Sequence, residues 1–294
     1  MDSAIDIPLT RRPAFNLVAQ AQRAADLASS RAGVRMQALV EVEELRPASD
    51  LLLSVWGWSP EGVPMSSETM RSLVHADGLV SGAYDAHGDL AGVAVLGRAG
   101  SGGAYSYIAG TRPGRSDAGV GFALKQHQRA WALAHDIHLI GWTFDPLVSR
   151  NARFNITKLG AVVHEYEHAF YGQMSDELNG TDTSDRLVAS WDLGSDRAIA
   201  ASEGIGAHAL DEPASAALTS AENGPDGAPA WVDAYADRWC RVPADIIAIR
   251  RDDPAQATAW RSQIRRWLAP SFEQGWVAVS VSRTGWYHLT KESS

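Results

Sequence analysis

One stretch constrains the fold of this chain more than any other: Gly119 to Val162, GVGFALKQHQRAWALAHDIHLIGWTFDPLVSRNARFNITKLGAV. It reads as helix, strand, helix, strand. A glycine-containing turn opens the first helix, Asp145-Pro146 breaks the chain after the apolar strand, and Lys158-Leu159-Gly160 stops the second helix. A glycine turn leading into a helix leaves backbone N–H groups free at a positive dipole end, which suits a phosphate. A strand ending beside that helix start can hold a phosphate-bearing molecule at one end of a sheet, with its tail reacting nearby.

The segments on either side complete an α/β pattern. Residues 1–34 carry a short Ala-rich helical piece with Leu17, Ala21 and Ala24 on one face, and are expected to be an accessory arm. Met36 to Val42 alternates as a strand, Pro47 opens a helix closed at Gly57, and Ser66 or Ser67 caps a second helix. Two apolar runs divided by Ala86-His87-Gly88-Asp89 form a hairpin, and Tyr105–Gly110 is a further strand. After the opening stretch, a strand running to near Gly172 and another over 186–193 follow. Residues 194–230, rich in Ala, Gly, Ser, Asp and Pro, read as a flexible linker. Residues 231–294 then supply a helix capped by Asp252 or Asp253, with Pro254 in its first turn and Pro270 as its kink or end. A hairpin turning at Ser282–Gly285 completes this small extension, expected to dock on the main domain at 35–193.

Composition narrows the function classes. A net charge of −9 over 294 residues argues against a nucleic-acid partner, which needs clustered Lys and Arg. No run of ~18 apolar residues predicts a membrane span, and no basic segment precedes an apolar run as in a secretory leader. A cytoplasmic location is the resulting expectation. The lone Cys240 excludes an internal disulfide framework and reads as a small buried apolar residue rather than a catalytic thiol.

The element order over residues 36–193 resembles the GNAT acyltransferase superfamily. The segments WTFDPLVSRNARFNITKLGAV and DRLVASW resemble, more narrowly, a bacterial branch that includes proteins that N-acylate amino acids with succinyl-CoA. The resemblance implies a GNAT-type mixed, mostly antiparallel sheet flanked by helices. It also implies acyl-CoA (acetyl-CoA or succinyl-CoA) as donor and a small-molecule amine as acceptor, and leaves a homodimer open. In the superfamily the cofactor pyrophosphate lies on the amides of a Gln/Arg-x-x-Gly-x-Gly/Ala loop. Here that loop aligns with Ser116-Asp117-Ala118-Gly119-Val120-Gly121: both glycines fit, Ser116 replaces the usual Gln or Arg, Arg115 lies one position early, and Asp117 adds a negative charge. The resemblance assigns the oxyanion donor to a backbone amide near Ile108 or Ala109, and a contact with the cofactor tail to Asn151. Ile156 stands where many members carry a tyrosine acid. The altered loop keeps a second reading in play, a divergent GNAT-fold protein that binds a ligand without acyl transfer or performs altered chemistry.

Acyl transfer to an amine needs a base, an oxyanion donor and, optionally, an acid for the thiolate. Strand alternation places His164, Tyr166 and His168 on one face of HEYEH and Glu165 and Glu167 on the other. Glu165 and His168 are the base candidates, with a solvated strand edge or a two-histidine metal site as alternatives. Glu41 and Glu43 are further base candidates on the first strand. Tyr105 and Tyr107 share a face and line the acceptor pocket or simply pack. Arg186, with Tyr166, is the candidate clamp for a substrate carboxylate, against a structural pairing of Arg186 with Asp185. Lys125 and Arg129 share a helix face, reaching a cofactor phosphate or solvent. Asp145 is expected to cap the helix after it.

Overall fold

A computed structural model describes residues 14–57, 63–100, 102–114, 118–172, 183–205, 212–234 and 236–291. In chain order the elements are α1 (Ala14–Ala32), β1 (Arg35–Ala38), α2 (Val42–Trp56), α3 (Ser67–His75), β2 (Leu79–Tyr84), β3 (Leu90–Arg98), β4 (Ala104–Thr111), α4 (Val120–Ala134), β5 (Leu139–Phe144) and α5 (Ser149–Arg153). A single π-helical turn, Phe154–Lys158, extends α5. There follow β6 (Val162–Glu167), β7 (Arg186–Asp192), α6 (Asp196–Ser202), β8 (Glu222–Asn223), β9 (Pro229–Asp233), β10 (Asp237–Arg241), α7 (Ile246–Asp252), α8 (Pro254–Glu273), β11 (Trp276–Val281) and β12 (Trp286–Lys291).

All the strands join one sheet in the order β1-β2-β3-β4-β5-β7-β6-β11-β12-β10-β9-β8. Every neighbouring pair is antiparallel except β4–β5. The fold is thus a mixed α/β arrangement around a mostly antiparallel sheet, as the sequence predicts. Over β2–β4, α4 covers one face and α2 the other: a Cβ added to Gly92 would meet Val120 and Leu124, and one added to Gly110 would meet Leu52 and Val55.

Several boundaries differ from expectation for local reasons. The first strand ends at Ala38, and α2 starts at Val42, five residues before Pro47. Glu44 explains this, because its carboxylate accepts the Val40 and Glu41 N–H groups (3.0 and 3.2 Å) and so caps the helix start. Glu41 and Glu43 therefore belong to a helix start rather than a strand. Pro47 sits inside α2 and Pro270 inside α8. Both lie on exposed positions, where the carbonyl four residues earlier can turn to solvent. The strand expected to reach Gly172 stops at Glu167. Ser66 caps α3 and Asp253 caps α8, as predicted.

The arm and linker expectations also change. Residues 1–13 lie outside the described residues, but α1 is no accessory: Leu17, Ala21 and Ala25 enter the main core with Ala130 and Leu133 of α4. Small alanines let the two helices approach closely. Within 194–230, α6 is capped by Ser195, and β8 and β9 join the sheet. The C-terminal hairpin β11–β12 continues the same sheet, through the pairing of Ala278 with Val163 on β6.

Candidate functional site

The one parallel pair among the described strands creates a gap. Strands β4 and β5 are in register only at Ala104 with Ile140 and Tyr105 with Gly141. Beyond these residues β4 runs on to Thr111 and β5 to Phe144 without pairing, so the sheet splits into a V between them. The wide end of the V meets the start of α4: a Cβ added to Gly121 would stand 3.9 Å from Thr111 Cγ2. Gly119, the residue before α4, has φ +81°, a left-handed conformation that glycine adopts at little cost. The first intrahelical bond runs from Ala123 N–H to Gly119 C=O (3.0 Å). The amides of Val120, Gly121 and Phe122 therefore precede the ladder and have no helical acceptor. Arg115, Ser116 and Asp117 lie outside the described residues.

Register decides between the two candidate amides on β4. Arg112 N–H bonds Ala91 C=O on the β3 side (2.9 Å), and Val93 pairs with Gly110 and Val95 with Ile108. Alternation along an antiparallel ladder then turns the Gly110 and Ile108 N–H groups toward β3 and the Ala109 and Thr111 N–H groups into the split. Of the two candidates, the Ala109 N–H is the one directed into the split. The register then jumps from Val95–Ile108 to Leu96–Ser106, leaving Tyr107 as a bulge at the narrow part of the V.

On one face of the split a hydroxyl chain runs from Tyr171 to Thr143 to Tyr105, each step 3.3 Å between oxygens. Tyr107 packs edge-on to Tyr105 at 5.1 Å and lies over Gly97, where a Cβ would come within 2.7 Å of the Tyr107 ring. Burial pushes the Tyr105 phenol above its ordinary range, so it is a neutral proton donor. On the opposite, helix-facing side, Lys125 Nζ donates to Ser106 Oγ (2.8 Å), Ser106 donates to Gln128 (3.1 Å), and the amine lies 3.9 Å from the centre of the Trp142 ring. Lys125 and Arg129 are buried, not solvated as one sequence reading allows: Arg129 Nε donates to Leu193 C=O (3.0 Å).

The base candidates separate. A bulge at His164 moves the register from Val163–Ala189 to Glu165–Val188, and Val188 in turn pairs with Thr143. Cross-strand partners share a face, so Glu165 lies on the Tyr105–Thr143 side, two strands away. Burial first, then a shared hydrogen bond and like charge with Glu167, raise the Glu165 carboxyl above its usual range. His168 lies beyond the end of β6, with Nε2 3.9 Å from Asp185. Tyr166 is committed as well: its hydroxyl donates to Asp185 Oδ2 (2.6 Å), so it is a scaffold residue rather than an open substrate contact.

Two aspartates anchor the end of the V. Asp145 accepts two bonds from Arg261 (both 2.9 Å), one from Arg250 (2.6 Å) and one from the Leu147 N–H (2.9 Å). It thus orders the turn before α5, and its chief partners are guanidiniums that sequence reasoning missed, since they lie more than a hundred residues away. Burial alone would raise its carboxyl; the two guanidiniums outweigh burial and hold it below the carboxylate range. Asp185 is gripped by Arg265 (2.8 and 3.0 Å) rather than by Arg186. Arg186 donates to the Asp185 carbonyl (2.9 Å) and lies 5.3 Å from the centre of the Tyr171 ring, beside the hydroxyl chain. Asn151 is exposed at the start of α5, 3.4 Å from the Asn155 amide. Cys240 is buried, and burial raises its thiol far above the usual range, as a structural residue requires. Among the described residues no three His, Cys, Asp or Glu side chains gather as a metal site, and no helix is long and apolar enough to cross a membrane.

No family model matches the chain, and no curated protein does. Solved structures similar to it include the ribosomal-protein-S18-alanine N-acetyltransferase from Escherichia coli, at 13% identity and TM-score 0.45, over 55% of this chain and 95% of that one. The IAA acetyltransferase from Bacillus cereus is 16% identical at TM-score 0.41, over 54% and 99%. A GNAT family acetyltransferase from Elizabethkingia anophelis with acetyl-CoA bound is 12% identical at TM-score 0.41, over 54% and 98%.

Proposed function

We propose that the protein is an acyl-CoA-dependent N-acyltransferase that moves a short acyl group, acetyl or succinyl, to the amine of an amino acid or related small metabolite. The observation that carries this reading is the V between β4 and β5, opening onto the start of α4. The Val120, Gly121 and Phe122 amides suit the cofactor phosphates at the wide end. The free edge of β4 can hydrogen-bond an extended amide-bearing tail lying in the split, as an added strand would.

The chemistry then follows from what lines the V. The acceptor nitrogen, once deprotonated, attacks the thioester carbonyl; a C–N bond forms, the C–S bond breaks, and the thiolate takes a proton. The Ala109 N–H is the donor for the oxyanion. The Tyr105 phenol, kept protonated by burial, gives its proton to the leaving thiolate and takes one back through the Tyr171–Thr143–Tyr105 chain. Glu165, on the same face and raised in pKa, takes the ammonium proton directly or through water. Arg186 beside Tyr171 suits a substrate carboxylate.

Titration calorimetry with acetyl-CoA and succinyl-CoA, followed by thiol release against pooled amino acids, tests the reading. Binding of a CoA ester and turnover with at least one amine are expected; absence of CoA binding would overturn it.

A further inference from the structure

Pairing between β4 and β5 ends at Tyr105–Gly141, so Ser106 and Trp142 are the first residues to face each other unpaired. Lys125 touches both, bonding Ser106 Oγ at 2.8 Å and lying 3.9 Å from the Trp142 ring centre. The amine of an α4 residue thus spans the two strands at the very point where the V begins. We propose that Lys125 is a specificity-determining residue, closing the helix side of the narrow end and setting how long an acyl chain the slot admits.

The proposal rests on the acyltransferase reading above and on a directional argument. With phosphates at the start of α4, a thioester tail enters from the wide end and its acyl terminus points toward the narrow end. From Thr111 back to Ser106 is five strand steps, about 16 Å at ~3.3 Å per residue. The floor at that depth is polar and tightly occupied: Lys125, Ser106 and Gln128 are all buried and linked by hydrogen bonds. Burial also pushes the Lys125 amine down to about 7, consistent with an amine enclosed with a hydroxyl and an aromatic face. Met in its place would keep the length and the ring contact while losing the hydrogen bond to Ser106, so it separates a bonding role from one that depends on length. A role in limiting the slot is of the second kind.

Calorimetry with acetyl-, butyryl- and hexanoyl-CoA on the full chain tests this through the ratio of dissociation constants, hexanoyl over acetyl. Lys125→Met keeps the length of the side chain, and the ratio is expected to stay within about threefold of wild type. Lys125→Leu and Lys125→Ala shorten it stepwise, and the ratio is expected to fall progressively, about tenfold or more for Ala, the scale of one or two methylenes gained in a pocket. If Lys125→Ala does not fold, Lys125→Leu carries the same test. An unchanged ratio in the folded short variants, or an equal change in Lys125→Met, overturns the slot assignment alone. A wild-type protein that binds no CoA ester overturns the acyltransferase reading, and this assignment with it.

Discussion

Replacing Asp145 by Asn removes one charge and almost no volume, so its cost isolates the electrostatic clamp at the end of β5. In the folded chain Asp145 receives three guanidinium bonds from Arg261 and Arg250 within 2.9 Å, and the Arg261 side chain is 2% exposed. Asp145→Asn leaves that buried cation without its carboxylate, which costs about 3–5 kcal/mol. At ~2–4 °C per kcal/mol for a chain of this size, the melting temperature should fall by roughly 6–20 °C. Because the folded carboxyl titrates below the unfolded one, its stabilisation is full above about pH 4 and is lost as pH falls through the folded value. The wild-type stability curve should therefore drop in acid more steeply than that of Asp145→Asn. Urea unfolding at pH 7 and pH 3 measures both quantities. Adding Arg261→Met to Asp145→Asn should cost less than the sum of the single changes, since both remove the same pair of bonds. An Asp145→Asn cost below ~1 kcal/mol, or strict additivity in the pair, would refute the argument.

Other substitutions address the split itself. Gly119→Ala has space for its methyl, 3.7 Å from Ala32, but must hold φ near +81°; a loss of about 1 kcal/mol in thermal unfolding is expected, with weaker CoA binding by calorimetry. Tyr105→Phe cuts the hydroxyl chain without emptying the ring site, and kcat for thiol release should fall about 10²-fold or more while KM changes little. Glu165→Gln should remove the acidic limb of the kcat/KM profile, which lies above the ordinary glutamate range because the wild-type carboxyl must lose its proton before acting as base. Gly97→Ala places a methyl 2.7 Å from the Tyr107 ring, so intrinsic fluorescence or a crystal structure should report a displaced Tyr107 in a folded protein.

Sequence reading went furthest where local chemistry decides the outcome. Asp85 sits at the β2–β3 turn and accepts the His87 and Asp89 N–H groups, so that hairpin was visible from a few residues. The helix–strand–helix–strand run from α4 to β6 was visible for the same reason. The site was legible only in part. Tyr105 lies on a strand and Gly119 and Gly121 at a helix start, because alternation and turn chemistry are local. Which amide faces the split depends on the register of β4 against β3, and the reach of Glu165 on a bulge at His164; neither leaves a mark in composition. Arg250, Arg261 and Arg265 escaped notice because a lone arginine on an amphipathic helix looks like solvated surface until its distant carboxylate is known. The same blindness made 194–230 look like linker, although Ser195 there caps α6 and the edge strands complete a sheet begun far upstream.

Those arginines also explain why the C-terminal extension matters to the site. Arg261 and Arg265 are four apart on α8 and so point from one face of the helix. One grips Asp145, which follows the last residue of β5; the other grips Asp185, which precedes the first residue of β7. The strands so tethered are adjacent in the sheet, with Phe144 paired to Leu187. A single rigid helix thus fixes the outer wall of the V from behind, while α4 lines it from the other side through Lys125. The parallel pair β4–β5 is held by only two register steps, and helices brace it from both directions. A split that had only to exist could be left loose. One that, on the proposed reading, presents an amide at Ala109 to the carbonyl oxygen and a phenol at Tyr105 to the leaving sulfur requires both walls to be held, and the 3–5 kcal/mol at stake in Asp145 is the scale of holding one of them.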